Sequence, residues 1–281
     1  MATYLFRYED NGPRVGMMTE AGSFALPYTL AQILANPDPL TLVANAPRNE
    51  PAPDGDFLLL LTLDTQEVWA SGVTYERSKV ARMEESEGGG DFYDKVYDAE
   101  RPELFFKALP RRVVGPEAYI RIRRDSTWNV PEPEMTLVIA ASGKIVGVTV
   151  GNDVSSRSIE GENPLYLPQA KSYDGACALG PFIRLVDDSL DLRNLTIRIK
   201  IERSGAVVFE EQTTTARMKR TPEELAGYLF RECTFPDGVF LMTGTGIVPP
   251  DDWTLQPFDR VQITIDGVGT LVNTVAPLGR S

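Results

Sequence analysis

Alternating apolar and polar positions run through most of the second half of the chain. Pairs of such segments flank short turns at Ser142-Gly143, Ser204-Gly205 and Asp266-Gly267. A short glycine-containing turn between two alternating segments predicts an antiparallel hairpin. One helix is predicted among them, where Thr221 caps a segment that has Pro222 at its first position. The pattern predicts a mainly β protein with some helix (α+β), a β-sandwich or rolled mixed sheet rather than a doubly wound fold.

The first 60 residues follow a different pattern. Apolar residues have helical spacing from Leu26 to Ala35, a second short helix is predicted near Pro39, and a polar, proline-rich segment covers residues 45–55. Strand-like character begins after that segment. We therefore predict a small N-terminal α/β unit at residues 1–60 and a larger catalytic domain at residues 61–281.

The chain is acidic, with 28 Lys and Arg against 40 Asp and Glu and a formal net charge of -12. Such a surface repels phosphate backbones and anionic lipid, so we expect neither nucleic acid nor a membrane as partner. A small anionic substrate remains compatible, because a local cation can reverse the field inside one pocket. The chain has two cysteines and no secretory signal at its N-terminus, so we predict a cytoplasmic protein.

The most restrictive count is that of histidine, which is zero in 281 residues. Its absence excludes Ser-His-Asp triads, Cys-His dyads and histidine-ligated zinc. Any acid–base chemistry must therefore come from Asp, Glu, Lys, Tyr or water.

Three acidic residues are predicted to meet at the open end of the first hairpin. Glu132 and Glu134 lie two apart at the start of a strand, so they face the same way. If Ser142-Gly143 forms a symmetric turn, Glu132 falls opposite Asp153. Crowded carboxylates are destabilising unless a hard cation compensates them, so we predict a divalent-metal site. Magnesium is the first choice and manganese or calcium the alternatives; a solvated strand end with outward-facing acids is the competing interpretation.

The order of several motifs resembles that of the fumarylacetoacetate hydrolase superfamily. The similarity runs from about Glu67 to the C-terminus. It rests on Glu132-Pro133-Glu134, Gly151-Asn152-Asp153-Val154-Ser155-Ser156-Arg157, Lys171-Ser172-Tyr173-Asp174, Gly180-Pro181 and Thr243-Gly244-Thr245-Gly246. The resemblance implies a mixed β-sandwich roll, a divalent metal held by the same three carboxylates, and a homodimer or homotetramer.

Within the superfamily, the chain is similar to members that dehydrate a 2-keto-3-deoxy sugar acid, which is a small 2-oxo acid. That similarity rests on residues 69–76, 95–98, 101–108 and 162–169. Hydrolytic members carry a histidine shortly after an Asn-Tyr pair, whereas this chain has Thr74-Tyr75 there and no histidine anywhere. Elimination needs no activated water, so the resemblance implies a metal-dependent hydro-lyase of sugar-acid catabolism.

Two residues are candidates for the proton transfers of such a reaction. Lys171 is the candidate for proton transfer or enolate stabilisation beside the metal, and its alternative is a surface lysine. Glu103 is the candidate general acid or base facing the leaving hydroxyl, and its alternative is an ion-pair partner of Arg101.

The late threonine–glycine loop is a candidate for binding the substrate carboxylate. Thr245, together with the N–H groups of Gly244 and Gly246, is predicted to form an anion nest. The alternative is an ordinary β-turn with no ligand.

Four further residues are assigned to the surroundings of the site. Arg157 is predicted to support the metal ligands from behind, and Glu160 to reach a sugar hydroxyl. Ser71 and Tyr75 are predicted to line the pocket, although an aromatic residue after a strand is more often part of the core.

Two other functions remain as alternatives. One is hydrolysis or decarboxylation of a diketo acid or oxaloacetate within the same superfamily. The other is a non-catalytic binding module in which the carboxylates hold a structural calcium ion.

Overall fold

Strands dominate the structure, a computed structural model that describes residues 2–53, 59–60, 62–76 and 96–278. The strands are β1 (Tyr4–Glu9), β2 (Pro13–Thr19), β3 (Gly22–Leu26), β4 (Glu67–Gly72), β5 (Glu103–Ala108), β6 (Val113–Val114), β7 (Tyr119–Ile120), β8 (Asn129–Val130), β9 (Pro133–Ile139), β10 (Ile145–Asp153), β11 (Ser155–Ser156), β12 (Cys177–Leu185), β13 (Thr196–Arg203), β14 (Ala206–Thr214), β15 (Val239–Met242), β16 (Arg260–Ile265) and β17 (Gly269–Val275). The α-helices are α1 (Leu30–Ala35), α2 (Pro39–Ala44), α3 (Arg157–Glu162), α4 (Leu167–Lys171) and α5 (Pro222–Leu229). Short 3₁₀ turns cover Pro110–Arg112, Pro164–Tyr166 and Thr215–Arg217.

Two sheets pack face to face and enclose the main core. The larger sheet has the order β3-β2-β1-β12-β10-β9-β15-β4-β5, with β6 beside β12, and the smaller has the order β14-β13-β16-β17-β7. Leu137 and Val150 of the larger sheet lie in one buried cluster with Ile199, Ile263 and Leu271 of the smaller. The mixed β-sandwich predicted from the sequence is confirmed.

The opposite face of the larger sheet is covered by the two N-terminal helices. Leu30 and Ile33 of α1 and Val43 of α2 belong to a second buried cluster with Val138 and Val146 of the sheet. Both helices begin at side-chain caps, since Thr29 accepts from the Gln32 N–H at 3.1 Å and Asp38 precedes Pro39 at the first helical position. The first helix is shorter than predicted, because the residues up to Leu26 belong to β3.

The N-terminal strands extend the larger sheet instead of forming a sheet of their own. Tyr4 pairs with Arg184 and Leu5 with Ile183, which joins β1 to β12. The division at residues 60 and 61 stays a prediction, and its boundary lies beside residues 54–58 and 61, outside the described ranges.

The hairpin formed by β9 and β10 has the predicted register but not the predicted turn. The loop is longer by one residue than a symmetric Ser142-Gly143 turn, because Ile139 pairs with Ile145. A β-bulge between Ile145 and Gly147 then adds one residue to β10. The two irregularities cancel, so beyond the bulge each pair is the one that a symmetric turn would give.

The other hairpins agree with the sequence pattern. β13 and β14 turn at Ser204-Gly205, and β16 and β17 turn around Gly267. The helix α5 begins where its cap predicts, with Thr221 Oγ1 accepting from the Glu224 N–H at 3.0 Å. No helix among the described residues combines the length and the apolar character needed to cross a bilayer.

Candidate metal centre and active site

Three carboxylates converge at the open end of the β9–β10 hairpin. Glu132 immediately precedes β9, Glu134 is its second residue and Asp153 ends β10. Oxygen atoms of the three groups lie within 4.8 Å of one another, and the residues are 4%, 1% and 1% exposed. The Asp153 N–H donates to the Glu132 carbonyl oxygen at 2.9 Å, which continues the ladder past the last strand residue. The predicted juxtaposition of the three acids is therefore present.

Three buried cations face these carboxylates. Lys171 Nζ lies 2.7 Å from Glu132 Oε2 and 3.2 Å from Asp153 Oδ2. Arg157 Nη2 lies 2.7 Å from Glu132 Oε1, and Lys107 Nζ lies 2.5 Å from Asp153 Oδ1. Buried charges are tolerated when they are paired in this way. The acids thus point inward, and the solvated-strand interpretation is wrong.

Glu134 is the carboxylate with the least compensation by these cations. Burial, followed by the charges of Asp153 and Glu132, raises the pKa of Glu134 well above its ordinary value. Its Oε2 accepts the Gly244 N–H at 2.6 Å. A dication beside crowded carboxyl groups favours their ionised form. Three oxygen donors in this state fit a hard divalent cation such as magnesium.

A small cavity adjoins the cluster. Its volume is about 10 Å³, which suits one ion or one water molecule. Seven of the residues predicted to act at the site line it: Ser71, Glu132, Asp153, Arg157, Lys171, Gly244 and Thr245. Tyr75 does not; it is 1% exposed, belongs to the main core cluster and forms a β-bridge with Met218. The burial of Tyr75 favours the core alternative, and its place at the pocket stays a prediction.

The threonine–glycine loop positions a candidate metal ligand, Glu134, through the Gly244 amide. The Gly244 N–H donates to Glu134, so that amide is already in use. Thr245 Oγ1 accepts from the Ile247 N–H at 3.2 Å, which closes the turn. Gly244 has φ +87°, and a Cβ there would lie 2.1 Å from Thr74 Oγ1, so only glycine brings the amide this close to Glu134. The predicted use of the Gly244 amide is corrected accordingly.

Glu160 is buried beside Arg157. It is 1% exposed, and its Oε2 lies 3.7 Å from Arg157 Nε on the same helix, α3. Because Arg157 reaches Glu132, the pair Arg157–Glu160 supports a metal ligand from behind. The prediction for Arg157 agrees with this position, and the contact of Glu160 with a sugar hydroxyl stays a prediction.

Glu103 stands at the edge of the site. It begins β5 opposite Gly72, and a Cβ at Gly72 would lie 1.9 Å from Glu103 Oε2, so glycine is required for this contact. Gly72 itself lines the cavity. The alternative partner, Arg101, places its guanidinium 5.5 Å from the centre of the Tyr228 ring. The role of Glu103 stays a prediction.

Sequence reasoning missed Lys107, Phe105 and Ser155. Lys107 is 1% exposed and also donates to the carbonyl oxygens of Val154 and Lys171. Lys171 Nζ lies 5.9 Å from the centre of the Phe105 ring and 2.5 Å from Ser155 Oγ. A signal existed, because residues 103, 105 and 107 alternate along one strand and share a face.

The family of the chain follows from comparison of its sequence with known families. Residues 67–276 match the family described as fumarylacetoacetate (FAA) hydrolase, C-terminal. The chain belongs to this family. The three carboxylates, Lys171 and Gly244 all lie within the matched part.

Two relatives and one solved structure refine the comparison. A Haloferax volcanii protein named as a probable 2-keto-3-deoxyxylonate dehydratase is 52% identical over 213 residues, covering 76% of this chain and 73% of the relative. A Saccharolobus solfataricus 2-dehydro-3-deoxy-D-arabinonate dehydratase is 47% identical over 223 residues, covering 78% of this chain and 75% of the relative. A solved structure of 2-keto-3-deoxy-D-arabinonate dehydratase, complexed with magnesium and 2,5-dioxopentanoate, is 37% identical with a TM-score of 0.85 and covers 98% of this chain and 99% of its own.

Proposed function

We propose that the protein is a magnesium-dependent dehydratase that converts 2-keto-3-deoxy-D-arabinonate to 2,5-dioxopentanoate, also called 2-oxoglutarate semialdehyde. The observation behind the proposal is the buried cluster of three carboxylates with Lys171 Nζ 2.7 Å from Glu132. The named relatives support the reaction class, and the magnesium-bound relative supports the metal.

The two relatives support one substrate rather than two. Their names refer to arabinonate and to xylonate. Once C2 is a ketone and C3 is a methylene, C4 is the only stereocentre left, and it has the same configuration in both D-sugar acids. The two names therefore describe one small 2-oxo acid.

The metal would be held by Glu132, Glu134 and Asp153, and it would replace part of the compensation that Lys171 and Lys107 now provide. Bound there, magnesium supplies Lewis acidity towards the 2-oxo acid, which makes the C3 protons more acidic. Arg157 keeps Glu132 oriented, and the Gly244 amide keeps Glu134 oriented. The protein part of the site is thus pre-organised for oxygen ligation.

Lys171 takes the C3 proton in the proposed reaction. Its Nζ lies within 3.2 Å of Asp153 and contacts Ser155, so its position is fixed among the ligands. Glu103 protonates the C4 hydroxyl, which leaves as water and gives a C3=C4 double bond, while Lys171 holds the proton from C3. Glu103 then takes a proton from C5 as Lys171 returns its proton to C3, and the resulting C4=C5 enol tautomerises to the aldehyde. We assign binding of the substrate carboxylate to Ser71 and Thr245, and their position in the cavity lining supports this assignment. This assignment needs no histidine, and the chain has none.

The decisive test is product formation by the purified chain. With 2-keto-3-deoxy-D-arabinonate and magnesium, we expect 2,5-dioxopentanoate, and with excess chelator we expect no turnover. Lys171→Ala should lower kcat by about 10²–10⁴-fold, because it removes the proton-transfer group. Lys144→Ala, at the exposed tip of the hairpin, is the matched control and should retain full activity.

Other products would select the competing functions. Release of pyruvate or carbon dioxide would indicate a hydrolase or decarboxylase instead. A rise in melting temperature with calcium, without turnover of any 2-oxo acid, would indicate a non-catalytic module. The enantiomeric L-substrate serves as the control for specificity at C4.

A further inference from the structure

A second concave surface lies apart from the metal centre. An open groove of about 1040 Å³ forms where residues 173–175 meet the chain around residues 111–125 and the C-terminal residues 276–278. Five arginines line it: Arg111, Arg112, Arg121, Arg123 and Arg124. We call this surface the arginine groove.

The charge of the arginine groove is opposite to that of the chain. Its lining includes five arginines but only two acids, Asp125 and Asp174. The whole chain, in contrast, has a formal net charge of -12. A concentration of guanidinium groups in one concave surface raises the local concentration of anions there, even on an acidic protein.

Ion pairs within the groove involve only two of the five arginines. Arg123 pairs with Asp125, and Arg112 Nε lies 3.2 Å from Asp174 Oδ1. Arg111, Arg121 and Arg124 are exposed and form no ion pair with any residue in the described parts of the chain. These three arginines line the groove without a carboxylate at ion-pairing distance among the described residues.

The wall of the groove is a built structure and not a set of free side chains. Arg123 Nη1 donates to the Gln169 carbonyl oxygen at 3.1 Å, and its guanidinium lies 5.7 Å from the centre of the Tyr173 ring. Arg112 Nη1 donates to the Ser172 carbonyl oxygen at 3.4 Å. The Tyr173 hydroxyl is buried and has no hydrogen-bond partner among the residues that the structure describes. The arginine contacts hold a positive wall in place.

Charge also indicates which occupant fits. A symmetric contact between two copies through this surface would place arginines against arginines, which is repulsive. Guanidinium groups bind phosphate and carboxylate groups through paired N–H donors, and they do so most strongly when several converge. We propose that the arginine groove is a binding site for a small organic polyanion that bears phosphate or several carboxylate groups. This site goes beyond the proposed dehydration and does not depend on it.

Calorimetric titration of the full chain tests the proposal. Pyrophosphate is the phosphate probe and citrate the carboxylate probe, both in magnesium-free buffer at constant ionic strength so that chelation adds no heat. We expect saturable binding of at least one probe with one site per chain. The double variant R121Q/R124Q should weaken that binding about tenfold or more, because two charge-assisted contacts are lost.

A matched variant separates a specific site from general charge. R193Q/R217Q removes two exposed arginines elsewhere on the surface and should bind the probes like the wild type. Binding of pyrophosphate alone would assign a phosphate ligand, and binding of citrate alone a carboxylate ligand; either result supports a polyanion site. The proposal is overturned if neither probe saturates the wild type, or if both double variants lose binding equally. It is also overturned if R121Q/R124Q lowers the molar mass in light scattering, since the groove would then be a contact between copies.

Discussion

Lys107 is the residue at the metal centre whose removal isolates the effect of buried charge. It contacts Asp153 Oδ1 at 2.5 Å and the main chain on both sides of the site. Lys107→Met keeps the apolar stem but leaves Asp153 with one fewer buried cation. Removing one partner of a buried pair costs about 3–5 kcal/mol, so the free energy of unfolding should fall by about that amount in chelator. Urea denaturation measures it.

The matched control for Lys107 is the exposed Lys144 at the hairpin tip. Lys144→Met should change the free energy of unfolding by less than about 0.5 kcal/mol. Added magnesium should return part of the stability lost by Lys107→Met, since a cation again faces Asp153. Equal urea midpoints for Lys107→Met and the wild type would show that Asp153 does not depend on this lysine.

Glu134 is the proposed ligand through which metal binding can be linked to stability. In the wild type, magnesium at about 100 times its Kd should add about 2.7 kcal/mol to the free energy of unfolding, because it binds only the folded chain. Glu134→Gln removes a ligand charge but keeps an acceptor for the Gly244 N–H. We expect this variant to fold in chelator and to lose most of the magnesium-dependent rise in melting temperature, as followed by circular dichroism.

Glu223 provides the control for Glu134. It is an exposed acid in the first turn of α5, far from the cluster in sequence. Glu223→Gln should keep the full magnesium-dependent rise. A normal rise in Glu134→Gln would remove Glu134 from the set of ligands.

At the residue scale, sequence predicted the acids better than the groups around them. Glu132, Glu134 and Asp153 follow from strand periodicity and hairpin register, which are local properties. Lys107 and the Gly244 amide come from β5 and from the loop after β15, and their approach depends on strand pairings between distant parts of the chain. No local pattern specifies those pairings.

At the scale of elements, two glycines predict opposite effects of the same substitution. A Cβ at Gly151, which pairs with Glu134, would lie 2.3 Å from Thr136 Oγ1 and 2.8 Å from Met242 Cε. Gly151→Ala should therefore separate β9 from its neighbours and cost about 1–3 kcal/mol. Gly227 in α5 has nothing within 4 Å of such a Cβ, so Gly227→Ala should add about 0.5–1 kcal/mol.

Thermal and urea unfolding of the two glycine variants decide this prediction. The sign of the change matters more than its size, because the substitution is identical and only the surroundings differ. If both variants shift the free energy of unfolding in the same direction, close packing at Gly151 does not determine the effect of the substitution there. Activity should fall with Gly151→Ala as well, because Glu134 lies directly opposite.

At the scale of the whole molecule, the N-terminal unit should not be separable from the catalytic part. Residues of α1 and α2 pack against the sheet face that carries Val138 and Val146. In addition, β1 pairs with β12. A chain of residues 61–281 should therefore lack a cooperative urea transition, because it exposes a large apolar face. Cooperative unfolding of that fragment at the wild-type midpoint would instead support a domain boundary at residue 60.

The sequence predicts the fold class but not the pairing between strands that are distant along the chain. Hairpins can be predicted from short turns and alternating apolar and polar residues, so the sequence predicts a mainly β fold. The addition of β1 to β12 joins Tyr4 to Arg184, and no periodicity reports a partner so far along the chain. The same reason explains why the small unit looked independent.

The bulge between Ile145 and Gly147 has a consequence for how the tip of its hairpin can vary. The one additional residue in the tip is compensated by the one additional residue of the bulge in β10. The pairing of the far end therefore depends on the two irregularities together and not on the loop length alone. Inserting or deleting one residue at the tip alone would turn every side chain of the far end over and point Asp153 away from Glu132. Lengthening the tip by one residue while removing the bulge would keep the strand pairing at the far end unchanged. A replacement tip for this hairpin should therefore change length only together with the bulge.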